Sequence, residues 1–381
     1  MAKPREWLRG SRYAGRLPGG CAPCGRGSKM VLLVTGRCHS SCFYCPLSEE
    51  KRGRDVAFAN ERPMGSPDDA LEEAHLIDAE GTGVTGGDPA DSLPRVVRLV
   101  GLLKEEFGPG HHVHLYTSRA LGEGELAALR EAGVDEVRFH PPPEALDDPA
   151  ALGPYARAVE GAARLGMEAG YEVPALPDMG RQLRAFLRSL VGAGGRPFVN
   201  LNELEFSPTN AEALLDRGYE VKDDVSSAVR GSERLARSLV DEFGPKGLRV
   251  HYCSASFKDA VQLRRRLARR ARNVARPHEL VTGDQTILKG VVEGADPEAV
   301  ARDLQERFDV PPELMAVDRE RGVLEVAAWV LEELAGEIDG ESYLVEEYPT
   351  YDRLEVERGP VPRAAVARPP RRRPRRRRTS G

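Results

Sequence analysis

The sequence of 381 residues lacks any apolar run long enough to cross a bilayer, and its first twenty residues have no apolar centre typical of a secretory signal. It is also poor in aromatic residues, at 6%, so it does not indicate a surface for stacking on nucleic-acid bases. With 40% hydrophobic and 30% charged residues, the composition is that of a soluble globular protein. We therefore expect a cytoplasmic protein with no membrane partner.

Cysteine is scarce, but the few cysteines are close together in the sequence. In a cytosolic chain of this length a disulfide framework is not expected, and clustered thiols in a reducing compartment favour metal binding. The six residues form a pair, a triplet and a single cysteine: Cys21 and Cys24, then Cys38, Cys42 and Cys45, then Cys253.

The formal net charge of -5 conceals a strongly basic end. Residues 368–378, RPPRRRPRRRR, contain eight arginines and no acid. This segment could bind a nucleic acid by releasing counterions from its phosphates, or it could act only as a solubilising tail. Residues 359–381 have too few apolar side chains to form a core and are expected to be disordered.

Between residues 30 and 253, short apolar runs alternate with helical stretches. Strands are predicted at 30–34, 83–85, 112–116, 135–139, 168–173, 198–204 and 248–253, with helices at 68–79, 93–107, 124–132, 154–165, 179–191 and 226–243. Such spacing predicts parallel strands joined by right-handed crossovers. The fold class is therefore α/β, an open partial TIM barrel of the (βα)6 type, with its chemistry at the carboxyl ends of the strands.

A second, smaller unit follows a helix rich in arginine over 257–276. Its predicted order is strand 286–292, helix 297–308, a hairpin of strands 314–318 and 323–327, helix 329–338 and strand 342–348. This βαββαβ order is typical of a ferredoxin-like α+β domain. The predicted domains are a basic N-terminal extension (1–29), the barrel (30–255), the arginine-rich linker (256–283), the ferredoxin-like domain (284–358) and the tail (359–381).

The loop after the first predicted strand reads TGRCHSSCFYCP and places Cys38, Cys42 and Cys45 in a C-x3-C-x2-C spacing. Three thiolates can hold three corners of a cubane iron–sulfur cluster and leave the fourth iron open to another ligand. Spacing alone also allows a structural zinc site, with His39 as the fourth ligand.

Three segments, TGRCHSSCFYCPLSE, TGGDP and HYCSASFKDAVQLR, resemble the radical S-adenosylmethionine (SAM) superfamily over residues 30 to about 253. In particular they are similar to archaeal proteins described as related to the pyruvate formate-lyase activating enzyme. The resemblance implies a [4Fe-4S] cluster on Cys38, Cys42 and Cys45. It also implies SAM on the open iron, one-electron cleavage of SAM to a 5′-deoxyadenosyl radical, and hydrogen abstraction from a substrate.

The same resemblance implies which residues contact SAM. An aromatic residue at the position of Tyr44 lies against the adenine, and the stretch Gly86, Gly87, Asp88 and Pro89 binds the amino group. Asp88 stands where the family usually has Glu, which shortens its reach by one methylene. Polar residues at later strand ends are candidates for the ribose and carboxylate, although each could instead be a helix cap or a satisfied loop residue: Thr117, Ser118, His140 and Glu172.

The remaining cysteines suggest a second metal site. Cys21 and Cys24 form a two-residue knuckle, while His251 and Cys253 point to one face of a strand. Together they make a Cys3His set suited to zinc or to an auxiliary iron–sulfur cluster. The alternative is two unrelated features, since the two segments lie at opposite edges of an open barrel unless the N-terminal segment crosses the gap.

The substrate is left open by the sequence. The candidates are a macromolecule (peptide, protein or RNA) and a small molecule of a biosynthetic pathway. A different class of function is a non-catalytic metal-binding or nucleic-acid-binding protein on a degenerate barrel. The chemistry implied by the resemblance requires an external one-electron donor, ferredoxin or flavodoxin.

Overall fold

The computed structural model describes residues 3–361, which fall into two units. The first unit runs to Val274 and includes Thr350–Asp352, and the second comprises Ala275–Pro349 and the residues from Arg353 onward. The arginine-rich segment 368–378 lies outside the described residues. Within residues 3–361, none of the helices has both the length and the apolar composition of a membrane span.

The first unit alternates strands and helices along the chain. Its strands are β1 Arg5–Glu6, β2 Arg12–Ala14, β3 Lys29–Leu33, β4 Phe58–Ala59, β5 Arg62–Pro63, β6 Gly81–Thr85, β7 His112–Thr117, β8 Glu136–Phe139, β9 Glu168–Pro174, β10 Phe198–Asn202 and β11 Arg249–Cys253. Its helices are α1 Cys21–Arg26, α2 Asp68–Leu76, α3 Leu93–Phe107, α4 Glu123–Ala132, α5 Pro149–Arg164, α6 Gly180–Leu190, α7 Ala211–Asp216, α8 Ser232–Phe243, α9 Ala255–Phe257 and α10 Arg264–Val274. A π-helical stretch, Lys258–Leu263, joins α9 to α10.

Seven strands of this unit are parallel neighbours in the order β3-β6-β7-β8-β9-β10-β11. Helical crossovers separate them, as expected for parallel pairing. Antiparallel strands cover both edges, with β4 on β3 and β2 on β11, so the two ends of the sheet do not pair with each other. The prediction of an open α/β barrel is confirmed.

The two faces of the parallel strands differ sharply in polarity. Residues such as Val113, Leu115 and Val137 are fully buried among the apolar side chains of the surrounding helices. Because side chains alternate between faces, the neighbouring residues point into the barrel. These inward residues are mostly polar or charged: Lys29, His112, His114, Tyr116, Glu136, Arg138, Glu168, Glu172, Asn200, Asn202, His251 and Cys253.

The N-terminal segment is part of the barrel. Strand β2 pairs with β11 at one edge of the sheet, and the chain then passes through α1 to β3, on the far side of the parallel set. On this path the backbone N–H of Gly19 donates to Glu168 at 3.0 Å and that of Gly20 donates to Glu136 at 2.8 Å. The segment therefore crosses from one end of the parallel sheet to the other along the polar interior.

Some predicted elements differ from the observed ones. The helix expected over 226–243 begins only at Ser232, because Gly231 adopts a left-handed φ of 89° and Ala228 forms an isolated bridge with Glu205. The helix expected over 154–165 begins earlier, at Pro149, where Asp148 caps it by accepting a hydrogen bond from the Ala150 N–H. The short strands β1, β2, β4 and β5 were not expected from the sequence.

The second unit is an antiparallel sheet with helices. Its strands are β12 Leu280–Val281, β13 Ile287–Glu293, β14 Met315–Asp318, β15 Val323–Val326, β16 Glu341–Glu347 and β17 Glu355–Pro360, and its helices are α11 Pro297–Phe308 and α12 Ala328–Leu334. The sheet order is β14-β15-β13-β16-β17, with β12 on β13. Leu304 of α11 and Leu331 of α12 belong to its apolar core. Strands β12 and β17 were not expected from the sequence, and β17 continues to Pro360, slightly past the point at which the tail was expected to begin.

Candidate active site

The three clustered cysteines lie on the loop that follows β3, at the carboxyl edge of the parallel strands. Cys38 is exposed, Cys42 and Cys45 are half-buried, and all three are free thiols. The Cys45 N–H donates to the Cys42 carbonyl at 3.1 Å, and the Ser40 N–H donates to the Cys38 sulfur at 3.3 Å. The loop thus presents three thiols with no disulfide to compete for them.

A cavity of about 770 Å³ opens beside these thiols. Its volume is in the range typical of pockets for small molecules and cofactors. Besides the three cysteines, its lining includes most of the residues expected to contact SAM: Tyr44, Gly87, Pro89, Thr117, Ser118, His140 and Glu172. The structure therefore brings the ends of β3, β6, β7, β8 and β9 together around one cavity.

The Gly86–Gly87 turn packs directly on the start of the cysteine loop. The Gly87 N–H donates to the Thr35 carbonyl at 2.8 Å, and the Asp88 N–H donates to the Arg37 carbonyl at 2.8 Å. A Cβ atom at Gly86 would lie 2.4 Å from the Thr35 carbonyl oxygen, and one at Gly87 would lie 2.1 Å from the Arg37 carbonyl oxygen. Only glycine allows this approach of the two backbones.

Asp88, which was expected to contact SAM, is not among the residues that line the cavity. Its side chain is fully buried and accepts four hydrogen bonds: from the Thr117 hydroxyl at 2.8 Å, from the Ser118 N–H at 2.8 Å, from the Ser118 hydroxyl at 2.6 Å and from the Ala90 N–H at 3.0 Å. These donors fill the acceptor positions of the carboxylate. The geometry does not support a hydrogen bond from an ammonium group to Asp88. Its hydrogen bonds instead join the end of β6 to the end of β7.

A chain of hydrogen bonds connects Tyr44, on the cysteine loop, to His140 and to the backbone of Glu172. The Tyr44 hydroxyl lies 2.7 Å from His140 Nε2, and His140 Nδ1 lies 2.7 Å from the Glu172 carbonyl oxygen. Because a carbonyl only accepts, Nδ1 carries the proton and Nε2 accepts from the tyrosine. Burial lowers the pKa of His140 and favours this neutral form. Tyr44 is thereby held in a fixed position at the cavity wall.

Glu172 carries a negative charge inside the barrel. Its carboxylate accepts from Arg138 at 2.7 Å, from the Asn200 amide at 3.0 Å and from the Asn202 amide at 2.9 Å. Burial raises its pKa, but Arg138 and the two amides outweigh that effect and lower it to about 2. A carboxylate has about four acceptor positions, so one remains for a ligand in the cavity.

Sequence reasoning did not identify the partners of Glu172. Arg138 also donates to Glu136 at 2.5 Å and contacts the Tyr116 hydroxyl at 3.3 Å. The two-residue alternation in segments such as HVHLYT and FVNLN is the signal that could have placed these side chains on one inward face. It could not have paired the charges, because pairing depends on the register between strands.

The other candidate metal residues meet deeper in the barrel. Cys21 and Cys24 are buried on α1, and the Cys21 sulfur lies 3.9 Å from His251 Nδ1. Cys24 and Cys253 belong to one apolar cluster with Phe257, and the buried ammonium group of Lys29 interacts electrostatically with Cys24. Burial raises the pKa of the Cys21 thiol to about 12 and also raises that of Cys253. The structure thus brings close together the two segments that the sequence analysis grouped as a possible second metal site.

The arginines of α10 are engaged in contacts within the first unit. Arg265 donates to the Gly25 carbonyl, Arg266 to Asn60 and Glu61, and Arg269 to Glu80. Arg270 pairs with Glu73, and both side chains are buried. These pairings hold the helix against the rest of the first unit.

In the second unit, His278, Glu279 and Glu325 offer ligand atoms within 4.8 Å of one another. The carboxylates already have cationic partners there. Lys289 lies 2.5 Å from Glu325, and Arg353 pairs with Glu279. This cluster is an ion-pair network, and the lysine and arginine supply the charge that a metal ion would bring.

A family model described as the radical SAM superfamily matches residues 32–168, the segment that contains the cysteine loop and the Gly86–Gly87 turn. A second model, described as a domain of unknown function (DUF8061), matches residues 285–361. The chain belongs to the radical SAM superfamily and is a radical SAM enzyme. Among curated proteins it is similar to one named "Putative glycyl-radical enzyme activating enzyme" of Methanocaldococcus jannaschii, with 37% identity over 364 residues, 91% of this chain and 93% of the relative.

Solved structures with a similar fold are more distant. Methylornithine synthase is 15% identical with a TM-score of 0.40, and the match covers 57% of this chain and 62% of that one. The chain in the structure of anSMEcpe with bound AdoMet and a Cp18Cys peptide is 16% identical, with a TM-score of 0.39. The match covers 58% of this chain and 62% of that one.

Proposed function

We propose that Cys38, Cys42 and Cys45 hold a [4Fe-4S] cluster and that SAM binds in the adjoining cavity. The observation that carries this proposal is the convergence of three free thiols on a cavity of about 770 Å³ at the carboxyl edge of the parallel strands. When bound, the cluster supplies the electron that cleaves SAM to a 5′-deoxyadenosyl radical. The remaining work of the chain is to orient SAM and to exclude water.

The cavity residues divide into those that shape it and those that can contact SAM. Gly86, Gly87 and Asp88 set the position of the cysteine loop, so their contribution to SAM is through backbone groups. Tyr44, held by His140, offers a ring for the adenine. Ser118 and Glu172 keep acceptor capacity toward the cavity after their internal hydrogen bonds are counted.

We further propose that the substrate is a protein and that the hydrogen is taken from a glycyl residue. The support is the name of the curated relative, which matches this chain over nearly its whole length. The exposed position of Cys38 gives the electron donor, ferredoxin or flavodoxin, an approach to the cluster. A non-catalytic role would leave the convergence of thiols and cavity without a purpose.

We also propose that the second unit is a ferredoxin-like domain. From β13 to β16 its elements follow the order βαββαβ. In the antiparallel sheet these four strands lie in the order β14-β15-β13-β16, so the first strand lies between the third and the fourth. This order is that of a split βαβ arrangement.

The first test is SAM cleavage by the reconstituted protein. After anaerobic addition of iron and sulfide and reduction with dithionite, the wild-type chain should form methionine and 5′-deoxyadenosine from SAM. Liquid chromatography with mass detection would measure both products. A protein that binds zinc but forms no 5′-deoxyadenosine would overturn the radical SAM function of this site.

The same assay can identify the class of substrate. The source organism would be grown on glycine that is deuterated at Cα. An anaerobic extract of these cells would then be separated by gel filtration into a protein fraction and a low-mass fraction, and each fraction would be added to the assay. With the protein fraction, we expect deuterium in the 5′-deoxyadenosine. Label that depends on the low-mass fraction would favour a biosynthetic small molecule, and unlabelled product lost after ribonuclease treatment would favour RNA.

Gly87→Ala should lower the rate of 5′-deoxyadenosine formation by about 10²-fold, because displacing a reacting group by roughly 1 Å costs this much. The added methyl group would lie 2.1 Å from the Arg37 carbonyl oxygen and push the cysteine loop away. The matched control is Gly101→Ala on α3, where a Cβ meets nothing within 4 Å. The control should keep its rate and gain up to about 1 kcal/mol of stability. A wild-type rate in Gly87→Ala would show that this contact does not position the loop.

A further inference from the structure

A second group of metal ligands lies inside the barrel, apart from the cysteine loop. It consists of Cys21 and Cys24 on α1 and His251 and Cys253 on β11. Residues 251 and 253 pair with Asn200 and Asn202, whose amides both reach Glu172, so they share the inward face of the strands. Three thiols and one imidazole from two distant parts of the sequence therefore meet inside the barrel.

The sulfur atoms of this group form no disulfide, and one ring nitrogen of His251 has no partner. All three cysteines are free thiols. His251 is only 3% exposed and its Nε2 atom has no hydrogen-bond partner, while its Nδ1 atom lies 3.4 Å from the Asn200 side-chain oxygen and 3.9 Å from the Cys21 sulfur. A buried imidazole nitrogen without a partner is costly, and a bound metal would remove that cost.

Two cations stand beside the thiols. The buried ammonium group of Lys29 interacts electrostatically with Cys24, and the Arg138 guanidinium lies 3.9 Å from the Cys21 sulfur. Metal binding deprotonates each thiol and releases its proton to solvent. Three thiolates carry more negative charge than one divalent metal ion neutralises, and the two cations offset the excess.

We propose that Cys21, Cys24, Cys253 and His251 form a second, thiolate-ligated metal centre within the barrel. Its place explains the path of the N-terminal segment, which pairs with β11 through β2 and then crosses the interior before entering β3. A metal held by α1 and β11 would tie this crossing segment to the last parallel strand of an otherwise open sheet.

The spacing of the ligands favours an iron–sulfur cluster over a single zinc ion. With zinc–sulfur bonds of about 2.3 Å, sulfur ligands of one tetrahedral zinc lie about 3.8 Å apart. Among the residues that the structure describes, His278, Glu279 and Glu325 are the one trio of ligands whose atoms all lie within 4.8 Å, and no three members of the Cys3His set meet this limit. Ligands on different irons of a cubane stand further apart than ligands of one ion.

The test removes the first set of cysteines and asks whether metal remains. The triple variant Cys38→Ala, Cys42→Ala, Cys45→Ala would be reconstituted anaerobically with iron and sulfide and, separately, incubated with zinc. We expect it to retain about one cluster or one zinc ion per chain, measured by elemental analysis and, for iron, by Mössbauer spectroscopy. Adding Cys21→Ser and Cys24→Ser to this background should abolish the retained metal.

The outcomes separate this proposal from the function of the first site. Iron and sulfide in the triple variant would identify an auxiliary cluster, and zinc alone would identify a structural zinc centre. If the triple variant binds no more metal than a chain lacking all six cysteines, the proposal is overturned. Absence of SAM cleavage in the wild type, together with metal in the triple variant, would overturn only the proposed function. Because the triple variant keeps all four proposed ligands, misfolding of the Cys21→Ser and Cys24→Ser chain would not obscure the result.

Discussion

Cys42→Ala should abolish SAM cleavage and the iron–sulfur absorption of the first cluster while leaving the fold intact. Enzymes typically accelerate reactions by at least about 10⁶-fold, so we expect the rate of 5′-deoxyadenosine formation to fall by more than about a thousandfold. Cys42 is half-buried on a surface loop, and a substitution of this kind changes the unfolding free energy by about 1 kcal/mol. The measurements are product formation, iron content and thermal unfolding of the same preparation.

The control is Glu49→Ala, an exposed residue further along the same loop. It should keep the wild-type rate and iron content. A Cys42→Ala chain that still forms 5′-deoxyadenosine would show that the loop does not hold the reactive cluster. A chain that fails to fold would be recognised by its unfolding curve, and Cys38→Ala, at the most exposed of the three cysteines, would then replace it.

The barrel was predictable because its strands carry a simple pattern. Short runs such as MVLLV and HVHLY are bounded by glycine and proline turns and separated by amphipathic helices. This local pattern fixes the elements, and the right-handed crossover rule fixes their order. The cysteine loop and the Gly86–Gly87 turn follow from the same logic, since both come directly after parallel strands.

Other features depend on contacts between distant residues, which a local pattern does not contain. The pairing of β2 with β11 joins residues more than two hundred positions apart, and each strand is short and only partly apolar. The hydrogen bonds of Asp88 could not be predicted from the sequence for the same reason. Its neighbours in space, Thr117 and Ser118, come from the end of the next strand, and they donate hydrogen bonds to its carboxylate.

The polar side chains inside the barrel support the site at the carboxyl edge of the parallel strands. Glu172 reaches the cavity, yet its charge is held by Arg138 and the amides of β10 below it. Arg138 in turn bridges to Glu136, whose other oxygen accepts from the backbone of Gly20. The guanidinium group of Arg138 therefore links Glu172 at the cavity wall to the N-terminal segment that crosses the barrel. Replacing Arg138 should affect both the cavity wall and this segment.

Arg138→Met should lower the unfolding free energy by about 3–5 kcal/mol, because it leaves two buried carboxylates without their cation. The side chains of Arg138, Glu136 and Glu172 are 4%, 0% and 14% exposed. The matched control is Arg130→Met, an exposed arginine on α4, which should change stability by less than about 0.5 kcal/mol. Denaturant unfolding of both variants at neutral pH measures the difference.

The dependence of this loss on pH distinguishes a charge effect from a packing effect. Glu172 has a folded pKa of about 2, below the value of 4.5 for a free glutamate, so its ion pair contributes fully above pH 4.5 and is lost as the pH falls toward 2. Without Arg138, only the two amides oppose the effect of burial, so the pKa of Glu172 rises. The difference in unfolding free energy between wild type and Arg138→Met should therefore be largest near neutral pH, and it should decrease as the pH falls from 4.5 to 2. A gap that stays constant over this range would mean that Arg138 stabilises the barrel by packing and not by its charge.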